Sequence, residues 1–361
     1  MRLLENKLYL DDIQYVANLP LPWEKLQGKS ILITGASGLV GSFLIDCLMY
    51  KNQNNENVIN SDYIHILALG RNAESAKERF ADYWNSDWFS FISYDVNQPL
   101  NLPEIGTLDF IFHLASNTHP IAYATDPIGT ISTNVIGTKN LLDFVVDHHT
   151  KRFVFASSNE IYGENRGDVE LFSENYCGYL DSNTMRAGYP ESKRCGEALC
   201  QAYIHQKDID IVIPRLTRSY GPTMLHSDTK AISQFIRKGI SGDNIVLKSE
   251  GNQYYSYTYV ADAVSGLLTV LFQGKNGEAY NIADQKSDII LKDLAEIIAE
   301  ISDSKVIFEL PDAIEKSGYS TATKARLDGS KLKNLGWEMR YDIRSGIERT
   351  IQILRDINYL Q

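Results

Sequence analysis

The segment SILITGASGLVG, residues 30–41, decides the fold. It runs from a short strand of β-branched residues through a glycine-rich turn into an amphipathic helix. Gly35, Gly38 and Gly41 stand three residues apart, which allows a tight turn, a close approach of backbone N–H groups to a pyrophosphate, and packing of the helix on the strand. A helix N-terminus favours such an anion through its free amides and its dipole. The segment therefore predicts a dinucleotide-binding turn at the start of an α/β domain.

Apolar strands alternate with helices as far as residue 216. Alternation of this kind is typical of βαβ units, whose parallel strands are covered by helices on both faces. The sequence therefore predicts an α/β protein with a Rossmann-type doubly wound parallel sheet. The predicted strands are 30–35, 63–70, 89–96, 108–116, 152–158 and 208–216, and the predicted helices are 38–51, 73–84, 126–149 and 187–206.

Three regions are predicted along the chain. Residues 1–28 form an N-terminal arm with a short helix, and 29–216 form the NAD(P)-binding Rossmann domain. Residues 217–361 form mainly a smaller α/β substrate-binding lobe, with possible strand exchange back to the sheet. Such a lobe would lie at the carboxyl ends of the strands, where open α/β sheets bind ligands. Its predicted elements are helices 229–241, 260–273 and 291–302 and strands 244–248 and 279–283.

Composition narrows the range of partners. The net charge is −11, and no Lys/Arg block interrupts the mixed charges of the 361 residues, so no nucleic-acid partner is expected. The four cysteines lack a CxxC spacing and no histidine pattern accompanies them, so no metal site is predicted. The N-terminus lacks a signal-peptide pattern, and no apolar stretch has membrane-spanning length. We expect a cytoplasmic protein without a membrane partner.

Tyr189 and Lys193 form a YxxxK pattern in the segment YPESK, residues 189–193. At the start of a helix, this four-residue spacing places both side chains on one face. An ammonium near a phenol favours the phenolate and lowers the phenol's pKa, so that the tyrosine can exchange protons near neutral pH. Ser158 ends a predicted strand before this helix, where its hydroxyl can bond to the same substrate hydroxyl. The order of these elements predicts a catalytic set of Ser158, Tyr189 and Lys193.

An ordered set of segments resembles the extended short-chain dehydrogenase/reductase family, within its NAD-dependent epimerase/dehydratase branch. The likeness covers about residues 29–350, and among the branch the UDP-glucuronate decarboxylases look most similar. The segments are GASGLVG (35–41), HLAS (113–116), TNVIGTKNLL (133–142), FASSNEIYG (155–163), YPESK (189–193), PRLTRSYGP (214–222), YTYVADAV (257–264) and DGSKLKNLGW (328–337).

The resemblance implies an enzyme that binds NAD or NADP and a nucleotide sugar. Family members oxidise C4 of the sugar and pass hydride to the cofactor, which usually returns it in the same turnover. By resemblance Tyr189 is the acid/base, Lys193 holds the nicotinamide ribose and Ser158 assists, while Asn134 matches the family's structural asparagine. Cofactor contacts are predicted for Gly35, Ser37, Gly38, Leu39, Val40, Gly41, Arg71, Asp95, Val96, Leu114, Ala115, Ser116, Asn134, Tyr189 and Lys193.

The end of the second predicted strand bears on the choice between NAD and NADP. An acid usually holds the adenosine ribose there, but this chain has Gly70-Arg71-Asn72. Arg71 can stack on adenine and meet a 2′-phosphate, which favours NADP. Alternatively it is a solvated arginine, and NAD binds through other contacts. Asp95, after the third strand, is placed to accept from the adenine amino group or is a solvated turn acid.

The residues after Ser158 bear on the step that follows oxidation. Dehydratases with an Asp-Glu pair at this point have a proton donor and a base, whereas this chain has Asn159-Glu160. Glu160 can remove the C5 proton, but Asn159 cannot serve as the acid. Decarboxylation, 4,6-dehydration and epimerisation therefore all stay open. The alternative for Glu160 is a simple loop carboxylate.

Two positions depart from the branch's way of holding its substrate. In the pattern QxRxxxYV an arginine contacts the diphosphate, but residues 253–260 place Tyr255 there, and Arg218 replaces an asparagine after the sixth strand. Either Arg218 supplies the missing charge, since guanidinium suits phosphate, or the substrate is not a standard UDP sugar. The tyrosines of 254–259 form a sugar-stacking wall or a strand packed on a loop. The predicted substrate contacts are Ser116, Asn159, Arg218 and Tyr255.

Two other functions stay open. One is a reductase that consumes NADPH to reduce a keto-sugar or another carbonyl, which Arg71 and the missing diphosphate arginine favour. The other is a cofactor-sensing module without catalysis, against which the complete set of Ser158, Tyr189 and Lys193 argues. By resemblance we also expect a homodimer in which helices 126–149 and 187–206 pair as a four-helix bundle.

Overall fold

The short apolar strands pair into one parallel sheet around β1. Its spatial order is β3-β2-β1-β4-β5-β7-β11, and the short β6 pairs with β7 beside β5. The predicted fold class, a Rossmann-type doubly wound parallel sheet, is confirmed. The strands are β1 (Ser30–Thr34), β2 (His65–Gly70), β3 (Phe89–Ser93), β4 (Phe110–His113), β5 (Arg152–Phe155), β6 (Ser157–Ser158), β7 (Ile211–Leu216), β8 (Arg218–Tyr220), β9 (Ile245–Leu247), β10 (Tyr254–Tyr259), β11 (Ala279–Ile282), β12 (Asp288–Ile290), β13 (Val306–Phe308) and β14 (Lys324–Ala325).

The computed structural model describes residues 1–54, 62–102, 108–118, 120–309 and 323–360. Within these ranges the helices are α1 (Lys7–Ala17), α2 (Leu39–Gln53), α3 (Ala73–Arg79), α4 (Pro120–Thr125), α5 (Pro127–Ser132), α6 (Thr138–Asp147), α7 (Gly188–Lys207), α8 (Ala231–Ser241), α9 (Val260–Gln273), α10 (Leu291–Ser302), α11 (Ser330–Lys333) and α12 (Ile343–Asp356). No helix of the described residues is both long enough and apolar enough to cross a membrane.

Two apolar layers cover the sheet, because successive side chains of a strand point to opposite faces. Ile31 and Ile33 of β1 belong to a buried cluster that includes Leu44 of α2 and Leu267 of α9. Leu32, between them, belongs to a second cluster built from β4, β5, α6 and α7. Both faces of the sheet are therefore buried, and its polar ligands can approach only from the strand ends.

Two predicted helices have different bounds in the structure. The helix predicted at 73–84 ends at Arg79, because the next residues turn and pack aromatic rings on β3, with Phe80 at 5.2 Å from Phe89. The helix predicted at 126–149 begins at Pro127, ends at Asp147 and contains a π-helical turn, Thr133–Gly137. Asp126 is its N-cap and accepts from the amide of Gly129 at 3.0 Å.

The N-terminal arm packs across the sheet domain and the C-terminal helix. α1 packs on α2 and α9, and Asp12 of α1 is fully buried. The Asp12 carboxylate accepts from the hydroxyl of Tyr259 at 2.6 Å and from the side chain of Arg349, on α12, at 3.0 Å. This buried ion pair ties the end of β10 to α12 through the arm.

The region after residue 216 builds a separate small sheet and also returns to the main one. β10 pairs antiparallel with β12 and parallel with β14 and β8, while β9 and β13 form a second, two-stranded sheet. Helices α8, α10 and α12 pack together beside these strands. β11, in contrast, pairs parallel with β7 at the edge of the main sheet. The domain boundary at residue 216 stays a prediction.

Candidate active site

A cavity of about 680 Å³ opens at the carboxyl ends of the sheet strands and extends toward β8, β9, β10 and α8. Residues that directly follow β1, β2, β4 and β6 line its sheet side. Every site residue predicted from the sequence lines this cavity except Asn134, which is fully buried behind it. The structure therefore brings the predicted cofactor, catalytic and substrate residues around one space.

The glycine turn leaves a free helix N-terminus at the cavity. Gly35 has a φ of +68°, and a Cβ there would lie 2.8 Å from the amide nitrogen of Ala115. A Cβ on Gly41 would lie 2.5 Å from the carbonyl oxygen of Gly35, so helix and strand approach closely. α2 begins after Gly38 without a side-chain cap, so its first amides, beginning at Leu39, are available to an anion.

The adenosine end of the predicted cofactor site is more open. Arg71 is exposed at the cavity rim, directly before the N-cap of α3. Asp95 also lines the cavity, and its carboxylate accepts from the amide of Asn97 at 3.0 Å, so it caps its own turn. Val96 is buried and packs against the π-helical turn at Gly137. All three residues line the same cavity, and their contact with adenosine stays a prediction.

The segment after β4 is held by buried side chains. His113 is fully buried and lies 2.9 Å from the hydroxyl of Thr34 and 3.1 Å from that of Thr138. Burial, with a smaller effect of Lys193, lowers the pKa of His113 to about 3, so the imidazole is neutral. These bonds fix the course of Leu114 and the residues that follow it along the cavity.

Asn134 connects two walls of the cavity. Its side-chain oxygen accepts from the Ser116 hydroxyl at 2.8 Å, and its amide nitrogen donates to the Ser192 hydroxyl at 2.9 Å. The π-helical turn that contains Asn134 aims this side chain between the strand end and α7. Asn134 thus connects the strand end with α7 from a buried position, and its predicted contact with the cofactor stays a prediction.

Tyr189 faces the cavity from the first turn of α7 and is only 7% exposed. Burial raises the pKa of Tyr189 to about 12, although its hydrogen bond with Ser158 acts in the opposite direction. Ser158, at the end of β6, also accepts from the amide of Glu160 at 3.2 Å. From the sequence we expected the pKa of this phenol to be lowered by the nearby lysine. In the protein alone, the loss of water around the ring has the larger effect and raises the pKa.

Lys193 lies one turn after Tyr189, and its ammonium is almost completely buried. It donates to the carbonyl oxygen of Ala156 at 2.8 Å and lies 5.0 Å from the ring of Phe155. Burial lowers the pKa of Lys193 to about 8. Lys193 therefore contacts the backbone beside Ser157 and Ser158, and within the described ranges it forms no ion pair with a carboxylate.

The carboxylate of Glu160 is held in an ion pair. Arg186 donates to it at 2.5 Å, with the two side chains 12% and 18% exposed. Asn159 is buried beside it and lines the cavity. Glu160 is therefore a fixed carboxylate at the cavity wall and not a freely solvated loop acid.

Arg218 and Tyr255 contact each other across the pair β8–β10. The guanidinium of Arg218 lies 3.5 Å from the centre of the Tyr255 ring. Arg218 is paired in register with Tyr257, and both Tyr255 and Tyr257 line the cavity on the same face of β10. Tyr254 faces away and packs on Arg326 instead. The tyrosine-rich segment is thus a strand, two of whose rings form part of the cavity wall.

Sequence reasoning missed two residues beside Tyr189. Tyr123, on α4, stacks on the Tyr189 ring with the ring centres 4.7 Å apart. The guanidinium of Arg186 lies over the Tyr123 ring at 4.7 Å from its centre. Arg186 stands three residues before Tyr189, so the sequence itself indicates that the two side chains lie close together. Tyr123 has no such signal, because 66 residues separate it from its partner.

A metal site is not formed by the part of the chain that the structure describes. Among these residues, no group of three or more His, Cys, Asp and Glu side chains is arranged so that it could hold a metal ion.

The glycine turn at a helix N-terminus, with Ser158, Tyr189 and Lys193 around one cavity, defines a dinucleotide-dependent enzyme of the short-chain dehydrogenase type. The chain belongs to the NAD dependent epimerase/dehydratase family, whose profile matches residues 31–283. The family predicted from the sequence segments is therefore confirmed.

Curated relatives of known name include UDP-glucuronic acid decarboxylases. UDP-glucuronic acid decarboxylase 6 of Arabidopsis thaliana is 32% identical over 322 residues, which cover 88% of this chain and 86% of that protein. UDP-glucuronic acid decarboxylase 1 of Danio rerio is 31% identical over 327 residues, 90% of this chain and 72% of that protein.

Solved structures confirm the fold. A dTDP-glucose 4,6-dehydratase from Streptomyces venezuelae with NAD bound superposes with a TM-score of 0.77 at 23% identity, over 91% of this chain and 98% of that one. A UDP-glucuronic acid 4-epimerase from Bacillus cereus, in complex with UDP-glucuronic acid and NAD, gives 0.75 at 22% identity, over 91% and 99% of the two chains.

Proposed function

We propose that this protein binds a nicotinamide dinucleotide and modifies a nucleotide sugar through transient oxidation at C4 of the sugar. The observation that carries the proposal is the arrangement of Ser158, Tyr189 and Lys193 around the same cavity as an uncapped, glycine-lined helix N-terminus. Membership of the epimerase/dehydratase family and the names of its relatives support it.

The residues at the glycine turn fit the pyrophosphate of such a cofactor. Gly35 and Gly41 leave no room for a Cβ, and the first amides of α2 face an anion without a competing side-chain cap. When bound, the cofactor supplies the hydride acceptor and later the hydride donor. Arg71, exposed where the adenosine ribose would lie, favours NADP because a guanidinium pairs well with a 2′-phosphate. Asp95 and Val96 complete the adenine end.

Three residues take part in the transfer of the proton of the sugar's C4 hydroxyl. Tyr189 accepts that proton and later returns it, and the Ser158 hydroxyl holds the same oxygen in place. Lys193 contributes a buried positive charge four residues further along α7, with its nitrogen bonded to Ala156. Since burial keeps the pKa of Tyr189 at about 12 in the protein alone, the phenolate needs this nearby positive charge when the cavity fills.

Glu160 is the base for the step that follows oxidation. A 4-keto group makes the C5 proton more acidic, and Glu160 is the carboxylate that lines the cavity directly after Ser158 and Asn159. Its ion pair with Arg186 holds the carboxylate in one place. In 4,6-dehydration Glu160 would remove the C5 proton as the C6 hydroxyl leaves, and in decarboxylation, the reaction that the names of the curated relatives suggest, loss of CO₂ leaves an enolate whose C5 must take up a proton. Epimerisation at C4 needs no base at C5, because hydride returns to the other face of C4.

The substrate is held from the lobe side by Arg218 and Tyr255. The ring of Tyr255 supports the guanidinium at 3.5 Å, and Arg218 forms no ion pair within the described ranges. Its charge is therefore available to a substrate phosphate or carboxylate. Ser116 and Asn159 line the sugar end of the same cavity and provide neutral hydrogen-bonding groups. R218Q should raise KM for the sugar nucleotide more than tenfold and change kcat little.

Product analysis tests the proposed function. The purified protein is incubated with UDP-, dTDP-, GDP- and CDP-sugars, with and without added NAD or NADP, and the products are identified by mass spectrometry. We expect a change of mass or configuration in at least one sugar with cofactor present in catalytic amount. Y189F, which keeps the ring but loses the hydroxyl, should bind cofactor and form no product. Undiminished turnover by Y189F would refute the catalytic assignment.

A keto-sugar or carbonyl reductase is the second candidate. The exposed Arg71 favours it because reductases commonly use NADPH. The tyrosine at position 255 also favours it, because a reductase needs no residue that binds a substrate diphosphate. The same incubations separate the two functions, because a reductase consumes one NADPH for each product formed.

We further propose a homodimer through the helices on one face of the sheet. Ile128, Ile131 and Ile136 are 79%, 42% and 47% exposed, and they lie on α5 and the π-helical turn beside α7. Apolar side chains so exposed on packed helices are typical of interfaces.

A further inference from the structure

Three side chains, those of Tyr189, Tyr123 and Arg186, form a stack at the candidate site. The Tyr123 ring lies against the Tyr189 ring with an angle of 27° between their planes, and the guanidinium of Arg186 lies over the Tyr123 ring at 4.7 Å from its centre. The three residues come from α4, from the turn Met185–Ala187 and from α7. Both tyrosines are only 7% exposed. The stack is therefore buried and built from separate segments.

Arg186 also contacts the second reactive group. It donates to Glu160 at 2.5 Å while it covers Tyr123, so one guanidinium contacts the carboxylate on its edge and the aromatic ring on its face. A planar guanidinium can do both at once, whereas a lysine ammonium is a point charge. Arg186 is mostly buried, so water screens these interactions little.

We propose that Arg186 is a positioning residue, which holds Tyr123 against Tyr189 and fixes the carboxylate of Glu160 beside them. The inference rests on the proposed function, in which Tyr189 and Glu160 transfer protons. Arg186 itself transfers none. Its contribution is to keep the phenol and the carboxylate in one geometry and to balance the negative charge between them.

The charges around Tyr189 determine in which direction its pKa should change when Arg186 is replaced. After burial, which raises the pKa of Tyr189 to about 12, the hydrogen bond with Ser158 lowers it, Glu160 raises it, and Arg186 lowers it. A hydrogen bond with Tyr123 lowers it as well.

Tyr123 and Lys193 also belong to the set of interacting groups around Tyr189. Burial also raises the pKa of Tyr123, and Tyr189, Glu160 and Asp228 add to that effect while Arg186 opposes it. Lys193 presents its buried ammonium from the next turn of α7. Loss of Arg186 leaves Glu160 unopposed, so the phenolate of Tyr189 becomes less favourable. Loss of the Tyr123 hydroxyl has the same sign.

A matched contact of the same type serves as control. Arg166 lies over the ring of Tyr179 at 4.5 Å, on the segment that leads to Arg186, and Tyr179 is 46% exposed. Neither residue lines the cavity. R166M therefore removes an arginine–tyrosine contact of similar geometry without touching the proposed site.

The experiment compares R186M, R186K, Y123F and R166M by two measurements. The first is the titration of Tyr189 followed by the ¹³Cζ NMR signal of labelled tyrosine in the NAD-saturated protein, with Y189F to assign the signal. The second is kcat and KM with the sugar nucleotide found active in the product analysis. The NMR titration needs no turnover, so it tests the positioning even if no sugar reacts.

We expect the titration midpoint of Tyr189 to rise by about half a pH unit or more in R186M and Y123F, and to stay unchanged in R166M. In R186M kcat should fall by about tenfold or more with little change in KM, and R186K should recover part of it. In an E160Q background, R186M should lower kcat much less than it does in the wild type, since one partner of the ion pair is already neutral.

Three results would overturn the inference. One is an unshifted Tyr189 titration in both R186M and Y123F. Another is a kcat of R186M equal to that of R166M. The third is a large rise in KM at constant kcat, which would make Arg186 a substrate contact. A shifted titration without turnover of any sugar would instead refute the proposed function and leave the positioning intact.

Discussion

The ammonium of Lys193 donates to the carbonyl oxygen of Ala156 at 2.8 Å, and only 3% of the lysine is exposed. Ala156 lies between β5 and β6, directly before the serines that border the cavity. The bond holds Lys193 one turn after Tyr189 on α7, and among the residues that the structure describes its charge has no carboxylate partner. A group that we propose takes part in the chemistry is thus buried at the expense of folding stability.

K193M should stabilise the protein near pH 7. The pKa of Lys193 is lowered from 10.5 to about 8 on folding, so between these values the unfolded chain binds more protons than the folded one. The stability of the wild type therefore rises with pH in this window, and below pH 8 the buried charge costs about 3 kcal/mol. Urea unfolding from pH 7 to 10.5 measures the effect.

The expected gap between K193M and the wild type narrows as the pH rises through that window. K292M, in which a half-exposed surface lysine is changed, is the control and should show no such pH-dependent gap. A K193M protein that is less stable at pH 7, or a gap that is constant with pH, would show that the buried ammonium is not destabilising.

R71A should change the cofactor preference. Arg71 is exposed at the cavity rim, where its guanidinium can meet a 2′-phosphate but not the bare ribose. We expect the Kd for NADP to rise about tenfold and the Kd for NAD to stay within a factor of two or so. Fluorescence titration with both cofactors measures this, and K77A, an exposed lysine on α3, is the control. An equal rise in the Kd for both cofactors would show that Arg71 does not recognise the 2′-phosphate.

I128E should disrupt the proposed dimer. Ile128 is 79% exposed on α5, and a carboxylate there would be buried without a partner if two copies pair through this face. Sedimentation velocity should show a dimer for the wild type and a monomer for I128E. F308E changes another exposed apolar residue, on β13, and should leave the dimer intact. A wild type that is monomeric at micromolar concentration would contradict the interface.

G41A should destabilise the protein far more than G38A. A Cβ on Gly41 would lie 2.5 Å from the carbonyl oxygen of Gly35, whereas one on Gly38 would lie 3.2 Å from the same atom. The first overlap requires α2 to move away from β1, at a cost of about 2 kcal/mol or more, while a small shift relieves the second. Thermal unfolding without ligand measures the difference. Equal unfolding temperatures for the two variants would mean that the helix does not depend on this close approach.

Local patterns in the sequence predicted the fold and identified many of the side chains that line the cavity. The glycines of 35–41 lie in the short segment that joins β1 to α2, and the YxxxK pattern lies in the first two turns of α7, so the geometry of each depends on residues close in sequence. Alternating apolar strands and helices predicted the parallel sheet for the same reason. The return of β11 to that sheet agrees with the strand exchange considered from the sequence.

Relations between distant segments could not be predicted in this way. Tyr123 meets Tyr189 because α4 packs beside the turn before α7, and Arg218 meets Tyr255 because β8 pairs with β10. The sign of the pKa change of Tyr189 also depends on burial by these distant segments. A nearby lysine alone suggested the opposite sign, since sequence spacing shows neighbours but not the loss of solvent.

The most direct test of C4 oxidation uses a substrate deuterated at C4. The active sugar nucleotide is prepared with deuterium at that carbon, incubated with the protein and catalytic cofactor, and quenched within one turnover. We predict deuterium in the nicotinamide ring during the turnover and back in the sugar product afterwards, with no net consumption of cofactor. Product formed while the deuterium at C4 never leaves the sugar would contradict the account.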